Sequence, residues 1–227
     1  MNSLDPEQRK ARIEELKKEL LDLKENTEEN HLKRKGEIIQ DLSNLKINFP
    51  DLDGYELSTA DLCGVDLSET ILSDSRFNKT LLIGADLSSC DFEDSSLVEA
   101  NLGGSNLFAS DLTNADCREA NFAKVDLGEA VLCGANFSGA DLSCQSNLAD
   151  ADFNGANLSK ANLKEATVSG ADFSGANLKG ANLLLAENLT CEQIKSAEID
   201  RDTKFPSYIK VVWVDDENYV CDFIPEG

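Results

Sequence analysis

Residues 151–183 read ADFNG ANLSK ANLKE ATVSG ADFSG ANLKG ANL, and this five-residue period decides the fold. A large apolar residue is the centre of each unit, a small residue stands two places before it, and Asp or Asn usually stands one place before it. From Leu52 to Leu142 every fifth residue is Leu or Phe, with Cys117 the one exception. One extra residue falls within positions 143–147, and the series then runs from Leu148 to Leu183. The chain therefore contains about 27 units.

A period of five fits neither a helix nor a plain strand, because helices repeat apolar residues at i+3 and i+4 and strands repeat them every second residue. An apolar centre with a small residue two places back indicates one short extended side followed by a turn rich in Gly, Ser, Asn and Asp. No single unit can bury its own Leu, so stacking of units must supply the core. The sequence predicts an all-β solenoid.

Units such as ADLCG, ADLSS, ANFAK and ANFSG resemble the consensus A-(D/N)-(L/F)-x-x of the pentapeptide-repeat family. The resemblance covers about 60% of the chain. It implies a right-handed quadrilateral β-helix in which four units form one coil, with centres and small residues inward. Seven coils at the strand spacing would make a rod about 30 Å long. Residues twenty apart would then stack, and Phe153 is expected to stack on Phe173. The predicted core ladder is Phe92, Leu112, Leu132, Phe153 and Phe173.

The two ends of the chain depart from the repeat. Residues 1–46 are expected to be helical, since Asp5-Pro6-Glu7-Gln8 forms a capping signal before heptad-spaced apolar residues. A helical hairpin that caps the solenoid is favoured, and a dimerising helix is the alternative. The repeats are assigned to residues 47–186. Residues 187–227 are expected to form a short helix after Thr190 and a β-hairpin cap. The run ENLTCEQIKSA is similar to endings of cyanobacterial family members.

The chain has little that could support catalysis. Its seven cysteines are scattered and are interpreted as small reduced residues, and His31 is the only histidine. Clustered metal ligands, a catalytic triad and a phosphate loop are absent from the sequence, so neither a metal, a cofactor nor an enzymatic activity is expected. The N-terminus lacks a secretory signal, and no run of about 18 apolar residues occurs. A cytoplasmic location is predicted.

Acidic residues dominate the surface, with a formal net charge of −22. With four units in each coil, the residues before the centres form two Asp-rich columns and two Asn-rich columns. The rod should therefore have an acidic half and a more neutral half joined by asparagine ladders. The alternative is that Asp and Asn only cap turns and keep the rod soluble. The candidate interaction face consists of Asp86, Asp91, Asp111, Asp126, Asp152 and Asp172.

These features favour a non-catalytic scaffold that binds an unidentified protein partner, which is expected to be basic. The negative charge argues against direct binding to nucleic acid or to an anionic membrane. The alternative comes from the family resemblance: some members are acidic DNA mimics that act on the type II topoisomerase gyrase. A monomer is favoured, and dimers through residues 1–46 or through the C-terminal end are the alternatives.

Overall fold

The computed structural model describes residues 5–46, 49, 51–216 and 218–224. Its largest part is a solenoid in which parallel bridges join residues twenty positions apart, as between Asp91 and Asp111. The separation rises to twenty-one where the extra residue intervenes, as between Val131 and Asp152. Four units therefore complete one coil and give it four sides. The predicted start of the repeats at residue 47 lies outside the described residues.

A turn follows the centre of every unit, and its geometry explains the period of five. In the turn formed by residues 57–60, the amide of Ala60 donates to the carbonyl of Leu57 at 3.1 Å. Thr59 is the third residue of this turn and has φ of +63°. From residue 54 to residue 185, this position has positive φ in every unit. The pattern is that of a type II turn, which glycine fits best at this position. Gly155, with φ of +65°, is one of the positions where glycine occurs.

The core consists of the unit centres and the small residues two places before them, which are almost all buried. The rings of Phe153 and Phe173 stack, with centroids 5.3 Å apart and planes 20° apart, as the sequence predicted. Phe137, from the neighbouring side of the coil, meets Phe153 edge-on at 6.1 Å. Stacked centres thus form a continuous apolar column along the rod.

The extra residue forms a corner bulge without breaking the stack. Cys144 and Gln145 both have positive φ, at 63° and 68°. Ser146 is fully buried, and its hydroxyl donates to the carbonyls of Phe122 and Ser143. The bridge between Asp126 and Asn147 then restores the ladder on the next side.

Two antiparallel helices precede the repeats: α1 spans Pro6–Asp22 and α2 spans Glu29–Asn44. Asp5 and Gln8 form a reciprocal capping box at the start of α1. Helix α2 lies close against the first coil at Gly36, where an added Cβ would lie 3.3 Å from the Cβ of Ala60. None of the helices among the described residues is long and apolar enough to cross a membrane.

Side chains of α2 bond to backbone groups on the open edge of the first coil. Lys35 is fully buried, and its Nζ donates to the carbonyl of Glu56 at 3.0 Å. Gln40 donates to the carbonyl of Cys63, and the hydroxyl of Ser43 accepts from the amide of Asp66. In the second coil, the equivalent backbone groups bond to the first coil instead. For example, the amide of Asp86 donates to the carbonyl of Val65. Helix α2 therefore occupies the place of a preceding coil.

The C-terminal region consists of α3, which spans Cys191–Ser196, and an antiparallel pair of strands, β1 (Ile209–Trp213) and β2 (Tyr219–Phe223). Thr190 and Gln193 form a capping box at the start of α3. The side-chain amide of Gln193 also donates to the carbonyls of Val168 and Ala171 on the last coils, at 2.9 and 2.8 Å. Polar side chains therefore satisfy carbonyls at this end of the solenoid as well.

A disulfide joins Cys191 of α3 to Cys221 of β2. The interpretation of all seven cysteines as reduced residues is therefore wrong for this pair. Their separation of 30 residues carried no signal, because the contact depends on how the hairpin folds back over α3. Disulfides are uncommon in a reducing cytoplasm. The cytoplasmic location stays a prediction.

Candidate functional site

The structure divides the repeats into four faces, one for each side of the coil. Bridges join units twenty or twenty-one residues apart into columns. We call two adjacent columns the acidic faces and the other two the neutral faces. The acidic faces contain the units centred on Leu52, Leu72, Phe92, Leu112, Leu132, Phe153 and Phe173, and those centred on Leu67, Leu87, Leu107, Leu127, Leu148 and Val168.

The basic residues and the net negative charge lie on different pairs of faces. From residue 52 to residue 183 the chain has 21 Asp and Glu residues and 7 Lys and Arg residues. The acidic faces hold 14 of the acids and none of the bases, whereas the neutral faces hold 7 of each. The net charge of this part of the rod therefore lies on half of its circumference.

The six candidate aspartates lie in these columns, with their carboxylates held by the local backbone. Asp91 and Asp111 are bridged to each other, and so are Asp152 and Asp172. In each case Oδ1 accepts from the backbone amide two residues later, as Asp172 does from Ser174 at 2.8 Å. Hydrogen bonds from Ser174 lower the pKa of Asp172. The same bond occurs for all six residues, namely Asp86, Asp91, Asp111, Asp126, Asp152 and Asp172.

The amide ladders lie mainly on the neutral faces. Asn121 donates to Asn101 at 3.0 Å, and Asn182 donates to Asn162 at the same distance. Asparagine also accepts from the amide two residues later, as Asn157 does from Ser159. Asp and Asn therefore make the same turn contact, and the choice between them sets the charge of a face without changing the fold.

Four of the seven basic residues of the neutral faces pair with acids of those faces. Arg118 contacts Asp116 at 2.7 Å, and Lys79 contacts Glu99 at 3.5 Å. In the part of the chain that the structure describes, no carboxylate of the acidic faces forms an ion pair. The acidic faces thus present carboxylates that no basic side chain among the described residues neutralises.

Three exposed apolar side chains interrupt the acidic faces, and the sequence interpretation did not single them out. Ile71, Phe108 and Val131 are 45%, 40% and 38% exposed. Phe108 lies against Gly128, where an added Cβ would be 3.3 Å from the ring. Val131 is bridged to Asp111 below and Asp152 above. The sequence alone could have identified these three residues, because each occupies a position of the five-residue unit that points outward.

The predicted core ladder lies directly behind one acidic face. Its centres follow the bridged outward residues of that column, and all are fully buried. This column therefore holds the acidic face in place and offers no ligand site of its own. It consists of Phe92, Leu112, Leu132, Phe153 and Phe173.

The described residues show no constellation for catalysis or metal binding. Among them there is no group of three or more His, Cys, Asp or Glu residues that could hold a metal ion. His31 lies on α2, with Nδ1 3.6 Å from the carboxylate of Glu28. Cys63 lines an open cleft of about 580 Å³ beside α2, and burial raises the pKa of its thiol. A thiol with a raised pKa is a poor nucleophile at neutral pH.

The chain matches the family model for pentapeptide repeats in 8 copies, over residues 75–114, 110–143 and 146–183. A search of the curated proteins found no match. One similar solved structure is HetL, a pentapeptide repeat protein involved in heterocyst differentiation regulation from the cyanobacterium Nostoc sp. strain PCC 7120. It is 30% identical over 66% of this chain and 65% of HetL, with a TM-score of 0.41, so the chain spans just under two thirds of HetL.

Two further similar structures have lower TM-scores or lower identity. Rfr23, a pentapeptide repeat protein from the cyanobacterium Cyanothece 51142, is 32% identical over 48% of this chain and 63% of Rfr23, with a TM-score of 0.23. QnrB1, a plasmid-mediated fluoroquinolone resistance protein, is 18% identical over 66% of this chain and 84% of QnrB1, with a TM-score of 0.41.

Proposed function

We propose, from the premise that this chain belongs to the pentapeptide-repeat family, that it is a non-catalytic scaffold whose acidic faces bind a basic protein. The observation that carries the proposal is the segregation of charge. All 7 basic residues between residues 52 and 183 lie on the neutral faces. Net negative charge needed only for solubility has no reason to be confined to two adjacent sides. We also expect the right-handed winding that is typical of the family.

The geometry of the acidic faces suits a protein surface rather than a small ligand. Backbone hydrogen bonds fix the carboxylates, so little side-chain freedom is lost when a Lys or Arg side chain binds. Ile71, Phe108 and Val131 add apolar contacts among these charges. Exposed apolar residues inside a polar surround are typical of protein interfaces. We therefore expect the partner to present Lys and Arg side chains around a few apolar ones.

The test compares two charge-matched double variants. Asp111→Asn with Asp152→Asn removes two charges around Val131 on an acidic face. Asp61→Asn with Asp141→Asn removes two charges from a neutral face. In both variants asparagine can still accept from the amide two residues later, as Asp111 does from Thr113 and Asp61 does from Cys63. Both proteins should therefore have unchanged circular dichroism spectra and unfolding midpoints.

Tagged wild-type protein and both variants are used to capture proteins from a cell lysate at about 0.1 M salt, and the bound proteins are quantified. The proposal expects a basic protein that is retained by the wild type and the neutral-face variant and lost by the acidic-face variant. Equal retention by all three proteins would show that the acidic faces are not the binding surface.

The alternative is that the rod is an acidic DNA mimic that acts on gyrase. The charge density of the rod supports this alternative. Residues 52–183 carry a net charge of −14, and DNA duplex of the same length, about 30 Å, carries nearly 18 negative charges. A duplex carries charge around its whole circumference, however, whereas two faces of this rod are neutral. Inhibition of purified gyrase by the wild type and the neutral-face variant, but not by the acidic-face variant, would identify gyrase as the partner.

A further inference from the structure

The C-terminal hairpin exposes one apolar face that its own chain does not cover. Alternate residues of β1 and β2 turn inward or outward, and the inward ones include Ile209 and Cys221, both buried. On the outer face, Val212 and Val220 are direct partners and are 46% and 48% exposed. The alternation continues at both strand ends, where Val214 and Ile224 are 68% and 45% exposed.

The inner face of the hairpin is fixed to the solenoid, so the outer face cannot turn inward. The disulfide between Cys191 and Cys221 ties β2 to α3. The hydroxyl of Tyr219 donates to the carbonyl of Ile194 in α3 at 3.0 Å. The hydroxyl of Tyr208 donates to the carbonyl of Ala186 at 2.7 Å. These contacts hold the Val212 and Val220 pair toward solvent.

The outer face also carries one base and one acid in matching positions. Lys210 and Asp222 are direct partners across the two strands, one pair away from Val211 and Cys221 and two pairs away from Val212 and Val220. Both charged residues are exposed. Such a face is complementary to a second copy of itself. When the second copy is turned over about an axis along the strands, its base faces the acid of the first copy and its valines face the valines of the first copy.

We propose that this outer face binds a second copy of the chain. A two-fold axis parallel to the strands places β1 of one copy over β2 of the other, because rotation about that axis exchanges the two strand positions. Lys210 then faces Asp222 of the partner subunit, and Val212 faces Val220 of the partner subunit. Both contacts occur twice, as a two-fold interface requires. This inference does not depend on the acidic faces.

Charge complementarity selects a second copy over other occupants. An unrelated apolar partner would gain nothing from a Lys and an Asp in matched positions beside the valines. The strands are only five residues long, so the interface is smaller than that of a permanent dimer. The expected dimer is therefore reversible and depends on protein concentration.

The test uses charge reversal in the full chain, with sedimentation equilibrium from about 5 µM to 1 mM as the measurement. Lys210→Asp places two like charges opposite each other at each contact, and so does Asp222→Lys. Each single variant should weaken dimerisation at least tenfold relative to the wild type. The variant with both substitutions exchanges the two charges and should recover the wild-type affinity.

Mixing the two single variants separates docking from damage to the hairpin. In a mixed dimer, the new acidic side chain of the Lys210→Asp variant would face the new basic side chain of the Asp222→Lys variant. The second contact would pair the unchanged Lys210 with the unchanged Asp222. Equal amounts of the two variants should therefore form heterodimers with about the wild-type affinity, although each variant alone dimerises at least tenfold more weakly. Circular dichroism and intact-mass analysis of the disulfide confirm that each variant is folded.

Three outcomes would overturn the proposal. A wild-type protein that stays monomeric to 1 mM would show that no second copy binds. A dimer that persists in both single variants would place the interface elsewhere, such as on residues 1–46. Single variants that stay monomeric when mixed would show that the substitutions act within one hairpin rather than between two copies.

Discussion

Replacing Phe153 by Ala should destabilise the middle of the solenoid more than any surface change. The ring is fully buried, stacks on Phe173 at 5.3 Å and meets Phe137 at 6.1 Å. A buried Phe→Ala change costs about 3–5 kcal/mol, because apolar contacts are lost and the cavity closes only in part. The coils above and below are held by backbone ladders, so they cannot move in to fill it.

The assay is urea unfolding followed by circular dichroism. With a slope of about 2–3 kcal/mol/M, a loss of about 3–5 kcal/mol moves the midpoint down by about 1–2.5 M. Phe108→Ala is the matched control, since this Phe is 40% exposed, and it should change stability by less than about 0.5 kcal/mol. Phe153→Leu should cost far less than Phe153→Ala, because Leu132 occupies the equivalent place one coil earlier. A loss below about 1 kcal/mol for Phe153→Ala would refute the stacked-core reasoning.

Four other predictions concern the turns, the N-terminal helices, the charge and the thiols. In the Gly155→Ala variant the added Cβ would have no atom within 4 Å, so only the strain of φ at +65° should lower the free energy of unfolding. The expected loss is about 1 kcal/mol, measured by urea unfolding. Lys35→Met leaves three carbonyls without their donor and should make α1 and α2 susceptible to limited proteolysis, whereas Lys33→Met should not. Raising NaCl from 20 to 500 mM should stabilise the wild type more than the Asp111→Asn, Asp152→Asn variant. Asp111 is bridged to Asp91, and Asp152 to Asp172. Like charges at the strand spacing of about 5 Å repel by about 1 kcal/mol in water, and salt screens this repulsion. Burial raises the pKa of the Cys133 thiol to about 11, so iodoacetamide should label it about a hundredfold more slowly at pH 8 than a thiol of pKa 9, and tenfold faster with each added pH unit up to about 10.

The sequence predicted the repeat and its charge pattern because both follow from a strict period. A Leu or Phe every fifth residue fixes which side chains turn inward, and stacking at twenty residues fixes which outward residues share a face. The sequence alone therefore placed Asp91 and Asp111 in one column, and Asn157 and Asn177 in another, as the structure has them. The stack of Phe153 on Phe173 follows from the same count.

Other features depend on contacts that no local pattern encodes. The disulfide between Cys191 and Cys221 requires the hairpin to fold back over α3. Lys35 reads as one member of a basic run, yet it is buried because three carbonyls converge on its Nζ. The ring of Phe108 lies over Gly128, one coil away, where the glycine has no side chain to displace it. Each of these needs the relative position of two segments, which periodicity alone does not supply.

The most direct test of the central claim is the affinity of the captured basic partner, measured by titration calorimetry with the two charge-matched variants. Asp111→Asn with Asp152→Asn should weaken binding at least tenfold at about 0.1 M salt. Asp61→Asn with Asp141→Asn should leave the affinity within twofold of the wild type. Binding of the wild type should also weaken as salt rises, because exposed charges are screened. Equal affinities for the two variants would contradict the claim that the acidic faces bind the partner.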